Sequence, residues 1–163
     1  DSIVEGNINN QASIISIVNK LISLQRIDTA KDIVDEYRES SRDRYFYSLQ
    51  LSNLLNMNMS YTESAQELLL YLENNPKRVE LVSDRFMSYP NDDETSTNIE
   101  LILYNSDIPG RNKILSDFYL RQKKYAESYN LLKEINNEEY ILNFVNDILI
   151  AYQNLLRTFY LKM

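Results

Sequence analysis

The side chains of this sequence that could take part in chemistry are carboxylates, amines and tyrosines, because the chain contains no histidine and no cysteine. This composition excludes imidazole bases, thiol nucleophiles and the zinc or iron–sulfur sites that are built on those ligands. The only two glycines, Gly6 and Gly110, lie too far apart to share a phosphate-binding loop. The sequence therefore predicts that the protein uses no cofactor.

The 24 acidic residues could still support hydrolysis or bind a metal ion. A hydrolase built on carboxylates and tyrosines is the enzymatic alternative, but no carboxylate pair lies in an apolar stretch that would raise its pKa. The acidic run Asp92-Asp93-Glu94 is not followed by the glycine of a calcium loop. It fits the N-terminus of a helix, where the helix dipole favours negative charge. We therefore expect neither an enzyme nor a metal site.

The charge balance of the chain limits the partners that it can bind. The net charge is −7, which has the wrong sign for binding nucleic acid or an anionic membrane surface. No run approaches the ~18 apolar residues of a membrane-inserted helix, and the N-terminus lacks the features of a signal peptide. Because the chain begins with Asp1, we expect a fragment of a larger protein, and the sequence is compatible with a cytoplasmic or an exported one.

Apolar residues recur at intervals of three and four positions, which is the spacing of amphipathic helices. The third helix of the pattern begins near Arg42 and the seventh at Pro109, while Pro76 and Pro90 mark helix ends. The pattern predicts a single all-α domain over residues 1–163 with about nine helices. They form antiparallel pairs at about residues 8–41, 42–76, 77–106 and 109–136, followed by a closing helix at 137–161.

Three of the predicted pairs share a short motif in which an aromatic or apolar residue stands three positions before a small one. The motifs are Ile27-Asp28-Thr29-Ala30, Tyr61-Thr62-Glu63-Ser64 and Tyr125-Ala126-Glu127-Ser128. The small residues at their ends would let paired helices approach closely. The first two motifs lie one period of about 34 residues apart, and in these three pairs the chain resembles the tetratricopeptide repeat family. The third pair departs from the family pattern, with Thr95 and Asn98 at the motif positions.

The resemblance implies a right-handed α-solenoid whose concave groove binds a peptide or helix of a partner protein, that is, a non-catalytic interaction scaffold. In the family, an asparagine on the groove can hydrogen-bond the backbone of a ligand in both directions. The clamp with which some family members hold a C-terminal carboxylate is not assembled here, so we expect a ligand of mixed apolar and polar character. The implied groove residues are Asn19, Ile22, Phe46, Gln50, Asn53, Met57, Lys113, Asp117 and Arg121.

The closing helix is apolar on nearly all sides, whereas the end of a solenoid should present a polar face. Either the parent protein continues with another helix pair, or this helix binds a partner or a second copy of the chain. The alternative function is therefore a self-associating structural subunit. Its interface would consist of Ile141, Ile148, Tyr152, Leu155 and Phe159.

Overall fold

The structure is a computed structural model that describes residues 11–161, apart from the side chains of residues 155 and 158–161. This part of the chain contains nine α-helices, one 3-10 turn and no strand, which confirms the predicted all-α class and helix number. The predicted start of the first pair, at residue 8, lies outside the described residues. The helices are α1 (Gln11–Ser23), α2 (Ile27–Ser41), α3 (Ser48–Met57), α4 (Tyr61–Asn74), α5 (Val79–Met87), α6 (Asp93–Tyr104), α7 (Arg111–Arg121), α8 (Tyr125–Ile135) and α9 (Glu138–Leu161).

The prediction that the third helix begins near Arg42 is wrong. Arg42 and Tyr47 both have left-handed backbone conformations, with φ values of 59° and 62°, so α3 begins only at Ser48. The turn between them places the Phe46 ring against Tyr37 of α2, with the ring centroids 4.4 Å apart. Burial of Phe46 compensates for the helical hydrogen bonds that are lost in this segment.

α7 begins at Arg111, two residues after the predicted start at Pro109, because a glycine turn precedes the helix. Gly110 has a φ of 92°, which other residues rarely adopt, and α7 begins at the next residue. A Cβ on Gly110 would lie 2.7 Å from Cγ2 of Val79. A glycine is therefore favoured at position 110 both by the positive φ of the turn and by the close approach of this turn to the start of α5.

Three of the helix connections are the same turn. The α1–α2, α3–α4 and α7–α8 connections each contain three residues, and the middle one has a φ between 59° and 63°. The last N–H of each turn bonds to the carbonyl oxygen five residues earlier, as Ser60 bonds to Leu55 at 2.9 Å. This is the Schellman arrangement, in which the left-handed position is usually glycine. Here that position is occupied by Gln25, Met59 and Lys123.

Replacing Lys123 with glycine is expected to raise the free energy of unfolding by about 0.5–1 kcal/mol, because glycine adopts a positive φ without the steric cost of a Cβ. Urea unfolding followed by circular dichroism measures the change. The matched control is Lys20→Gly within α1, where the side chain is exposed and glycine should cost about 1 kcal/mol. A loss of stability in both variants would contradict the left-handed turn.

Small residues lie where paired helices approach most closely, as the sequence predicts. The Ser64 hydroxyl donates to the carbonyl oxygen of Ser52 at 2.8 Å and joins α4 to α3. The Ser116 hydroxyl donates to the carbonyl oxygen of Ser128 at 3.0 Å and joins α7 to α8. The two residues of each pair are 12 positions apart, and Ala30 in α2 is fully buried at the matching place. The second and fourth pairs are therefore each joined by a serine contact, with the donor on the second helix of the second pair and on the first helix of the fourth.

The buried residues form two hydrophobic cores. The first lies among α1, α2, Phe46 and α3, and the second lies among α4, α5, Tyr89, α6 and α7. A buried ion pair crosses from one half to the other, since Arg38 of α2 donates to both carboxylate oxygens of Glu67 in α4, at 3.0 and 2.6 Å. Arg38 also donates to the carbonyl oxygen of Phe46. The sequence pattern did not identify this pair.

The third predicted pair is reoriented. Among the described helices, α5 packs mainly against α7, while α6 packs against α4 and α7. The chain between α5 and α6 inserts Tyr89 into the second core, where its hydroxyl hydrogen-bonds Ser64 at 2.7 Å. Asp92 caps α6 by accepting from the Thr95 N–H at 2.8 Å, which confirms that the acidic run begins a helix. That hydrogen bond lowers the pKa of Asp92.

Candidate partner-binding cleft

Two of the nine residues predicted to line the groove belong to the first core. Ile22 is 1% exposed and Phe46 is 6% exposed, so neither can contact a ligand. Ile22 continues the buried face of α1 that begins at Ile14 and Val18. The prediction that Ile22 and Phe46 line the groove is therefore wrong.

The other four predicted residues of the first two pairs lie on the surface and do not form one pocket. Asn19 accepts a hydrogen bond from the Tyr47 hydroxyl at 2.7 Å, and Asn53 accepts one from Arg85. Both asparagines are therefore engaged within the fold. Gln50 is exposed, and Met57 is 78% exposed near the end of α3.

The three predicted residues of α7 do lie together, in an open cleft of about 880 Å³. Lys113, Asp117 and Arg121 follow one another at one-turn intervals along α7 and line the cleft between α5 and α9. α5 contributes Glu80, Asp84 and Met87. α9 contributes Glu139, Tyr140, Asn143, Phe144, Asn146 and Asp147.

One wall of the cleft is a fixed polar cluster centred on Lys113. The Lys113 amine donates to Asp117, lies 3.5 Å from the Glu80 carboxylate and stands 5.1 Å from the centroid of the Tyr140 ring. Asp117 also accepts from the Ser83 hydroxyl. Burial, followed by the hydrogen bond and charge of Glu80, raises the pKa of Tyr140. The positive charge of Lys113 is therefore balanced by carboxylates of the fold, and its contacts join α5, α7 and α9.

Arg121 holds the end of α5 and the connection that follows it, in the reoriented third pair. Its Nη1 donates to the carbonyl oxygens of Met87 and Tyr89, each at 2.9 Å, just beyond the end of α5. The guanidinium lies 5.0 Å from the centroid of the Phe118 ring, and burial lowers the pKa of Arg121. These contacts set the position of the guanidinium, whereas its Nε and Nη2 are buried without a hydrogen-bond partner among the described residues. The role of Arg121 in ligand binding stays a prediction.

The remaining surface of the cleft combines apolar side chains with acidic ones. Met87, Leu120 and Phe144 supply apolar area, and Phe144 stacks on Tyr129 of α8 with the centroids 5.8 Å apart. Asp84 and Asp147 are exposed and form no ion pair with any residue that the structure describes. The arrangement suits a ligand with apolar groups and positive charge. No cluster of potential metal ligands occurs in the described part of the chain.

The sequence did not predict that α9 forms a wall of this cleft. Its residues Tyr140 and Phe144 are one helical turn apart and face the body of the protein. The sequence did not reveal this buried side of α9, because the helix is apolar on nearly all sides. Of the predicted interface on this helix, Ile141 and Ile148 are half-buried and Tyr152 is exposed. The side chains of Leu155 and Phe159 lie outside the described residues.

Comparison with known proteins identifies no relative. No protein-family model matches the chain, and neither a curated protein nor a solved structure is significantly similar to it. No helix in the described part combines the length and apolar character needed to cross a membrane.

Proposed function

We propose that the chain is a non-catalytic protein-interaction module that binds a peptide or helix of a partner protein in the cleft between α5, α7 and α9. The observation that carries the proposal is the cleft itself, which is open, is large enough for several side chains and combines apolar surface with unpaired carboxylates. Its polar wall is preorganised by the Lys113 contacts, so little side-chain freedom would be lost on binding.

We further propose that the helix pairs are divergent tetratricopeptide-like repeats in a right-handed solenoid. Support comes from the three equivalent turns and from the serine contacts that recur in the second and fourth pairs. In such an arrangement α5 and α7 are first helices of successive pairs, which is where the family binds its ligands. The reoriented third pair then shapes one end of the cleft.

A selection from a library of random 12-residue peptides tests the cleft as the binding site. We expect the selected peptides to combine apolar and basic residues and to lose at least tenfold in affinity for the Asn143→Arg variant, which adds bulk and positive charge to the cleft. The matched control is Asn130→Arg on the exposed surface of α8, which should leave affinity unchanged. Peptides that bind both variants and the parent equally would place the site elsewhere.

The second candidate function is self-association through α9. It is favoured by the exposure of large apolar residues along this helix, which include Leu142, Leu149, Ile150 and Tyr152. Exposed apolar surface of this extent on one helix often marks a protein-interaction site. This function uses a different surface from the cleft, so the two candidates are compatible.

A further inference from the structure

The second half of α9 extends beyond the rest of the described chain. α9 contains 24 residues and α8 contains 11, which correspond to lengths of about 36 and 16 Å. Only two residues connect α8 to α9, and Phe144 stacks on Tyr129, so the two helices run antiparallel. The start of α8 at Tyr125 therefore lies opposite about residue 148. Every described side chain from Leu149 to Arg157 is exposed. No described helix therefore covers this half.

Five of the six large exposed apolar residues described in α9 form a single stripe, and Ile150 lies on another side of the helix. Their spacing alternates between three and four positions, which is the heptad pattern of a coiled coil. The exposed fractions of these side chains range from 38% to 60%. We call this surface the α9 stripe: Leu142, Val145, Leu149, Tyr152 and Leu156. Phe159 continues the spacing, although its side chain lies outside the described residues.

We propose that two copies of this chain pair through the α9 stripe as an antiparallel two-stranded coiled coil, an inference that rests on the self-association candidate above. In this register Leu149 of one copy packs against Tyr152 of the other, and Val145 packs against Leu156. Both contacts occur twice by symmetry. The pairing supplies the tertiary contacts without which a projecting helix of this length is marginal in water.

The residues beside the α9 stripe favour a second copy as its occupant. Coiled coils that select a different helix use charges at the flanking positions. Here those positions carry Asn146, Ile148 and Gln153, none of which is charged. The described flanking positions of the α9 stripe therefore carry no charge that would repel a second copy.

The antiparallel orientation follows from charge. From residue 140 to residue 161, α9 contains only Asp147 and Arg157 as charged residues, so the net charge of −7 belongs to the rest of the chain. Parallel pairing would bring two acidic bodies together at the same end of the coiled coil. Antiparallel pairing places them at opposite ends of the coiled coil, so that their negative charges lie farther apart than in parallel pairing.

Sedimentation equilibrium over a concentration series tests whether the α9 stripe is the interface. We expect the parent chain to dimerise and Leu149→Glu to weaken the dimer at least 100-fold while keeping its helical circular dichroism. The matched control is Ile150→Glu, because Ile150 is equally exposed but lies on another side of the helix. A monomeric parent would overturn self-association itself, whereas a dimer that tolerates Leu149→Glu would overturn only the stripe.

Disulfide trapping tests the orientation, since the chain has no cysteine of its own. Val145→Cys and Leu156→Cys variants are exposed to oxidised glutathione, separately and as an equimolar mixture. Antiparallel pairing predicts a covalent dimer in the mixture and none in either variant alone. Cross-linking of each variant with itself would show parallel pairing and overturn the proposed register, while self-association would stand.

Discussion

Replacing Glu67 with alanine is expected to lower the free energy of unfolding by about 3–5 kcal/mol, because it leaves the Arg38 guanidinium buried without its carboxylate. Both side chains are buried, and two hydrogen bonds join them in a bidentate geometry. Arg38 keeps its contact with Asp35 at 3.1 Å, but that carboxylate is 62% exposed and is screened by water. The remaining partner, the carbonyl oxygen of Phe46, carries no charge.

The matched control for this prediction is Glu73→Ala, which removes an ion pair between the same two residue types. Arg44 donates to Glu73 at 2.9 Å, and its side chain is 66% exposed. We expect that variant to cost no more than about 1 kcal/mol, as exposed pairs do. Urea unfolding of both variants provides the comparison. Equal losses would mean that the Arg38–Glu67 pair is not buried in solution.

The position of the Arg38–Glu67 pair makes Glu67→Ala a test of cooperativity as well. The pair joins α2, which belongs to the first core, to α4, which belongs to the second. If it couples the two cores, the variant should unfold over a broader urea range with a smaller apparent m value than the parent chain. Other polar contacts also join the halves: Ser64 bonds both α3 and Tyr89, and Arg85 of α5 donates to Asn53 of α3.

The local architecture of this protein could be predicted because short-range rules determine it. Helical spacing of apolar residues and the placement of prolines were sufficient for nine helices, and the small residues Ala30, Ser64 and Ser128 do lie at close helix contacts. Each of these features depends on residues that are near one another in sequence. The helix starts at Ser48 and Arg111 were missed because they depend on positive φ values.

The long-range arrangement of the helices could not be predicted, and for this reason the sequence identified only part of the candidate site. The orientation of α5 depends on Tyr89, which lies in a connection and reaches Ser64 in a different helix pair. The cleft depends on the return of α9 along α8, so its α9 wall was not expected. Arg38 and Glu67 look like ordinary surface charges in the sequence, because they lie 29 positions apart and only the folded structure reveals their contact and burial.

Replacing Phe86 with alanine is expected to lower the free energy of unfolding by about 3–5 kcal/mol, since a large side chain is lost from a fully buried position. Phe86 is 0% exposed in the second core and meets Tyr89 with the ring centroids 5.6 Å apart. Its ring lies on the side of α5 opposite the exposed cleft residue Asp84, and it thereby anchors the helix that forms this wall of the cleft.

A second readout of Phe86→Ala is the ionisation of Tyr89. Burial raises the pKa of Tyr89 to about 12 in the parent chain, so this phenol stays protonated while exposed tyrosines ionise near pH 10. A cavity that admits water beside the ring would lower that pKa toward its ordinary value. Phenolate absorbance between pH 9 and 12, with Tyr89→Phe to identify the signal, measures the change.

The matched variant Met87→Ala removes a half-buried side chain from the same helix and should cost about 1 kcal/mol with little effect on Tyr89. If Phe86→Ala were no more costly than Met87→Ala, α5 would not be anchored through Phe86, and the cleft wall that it carries would need another support.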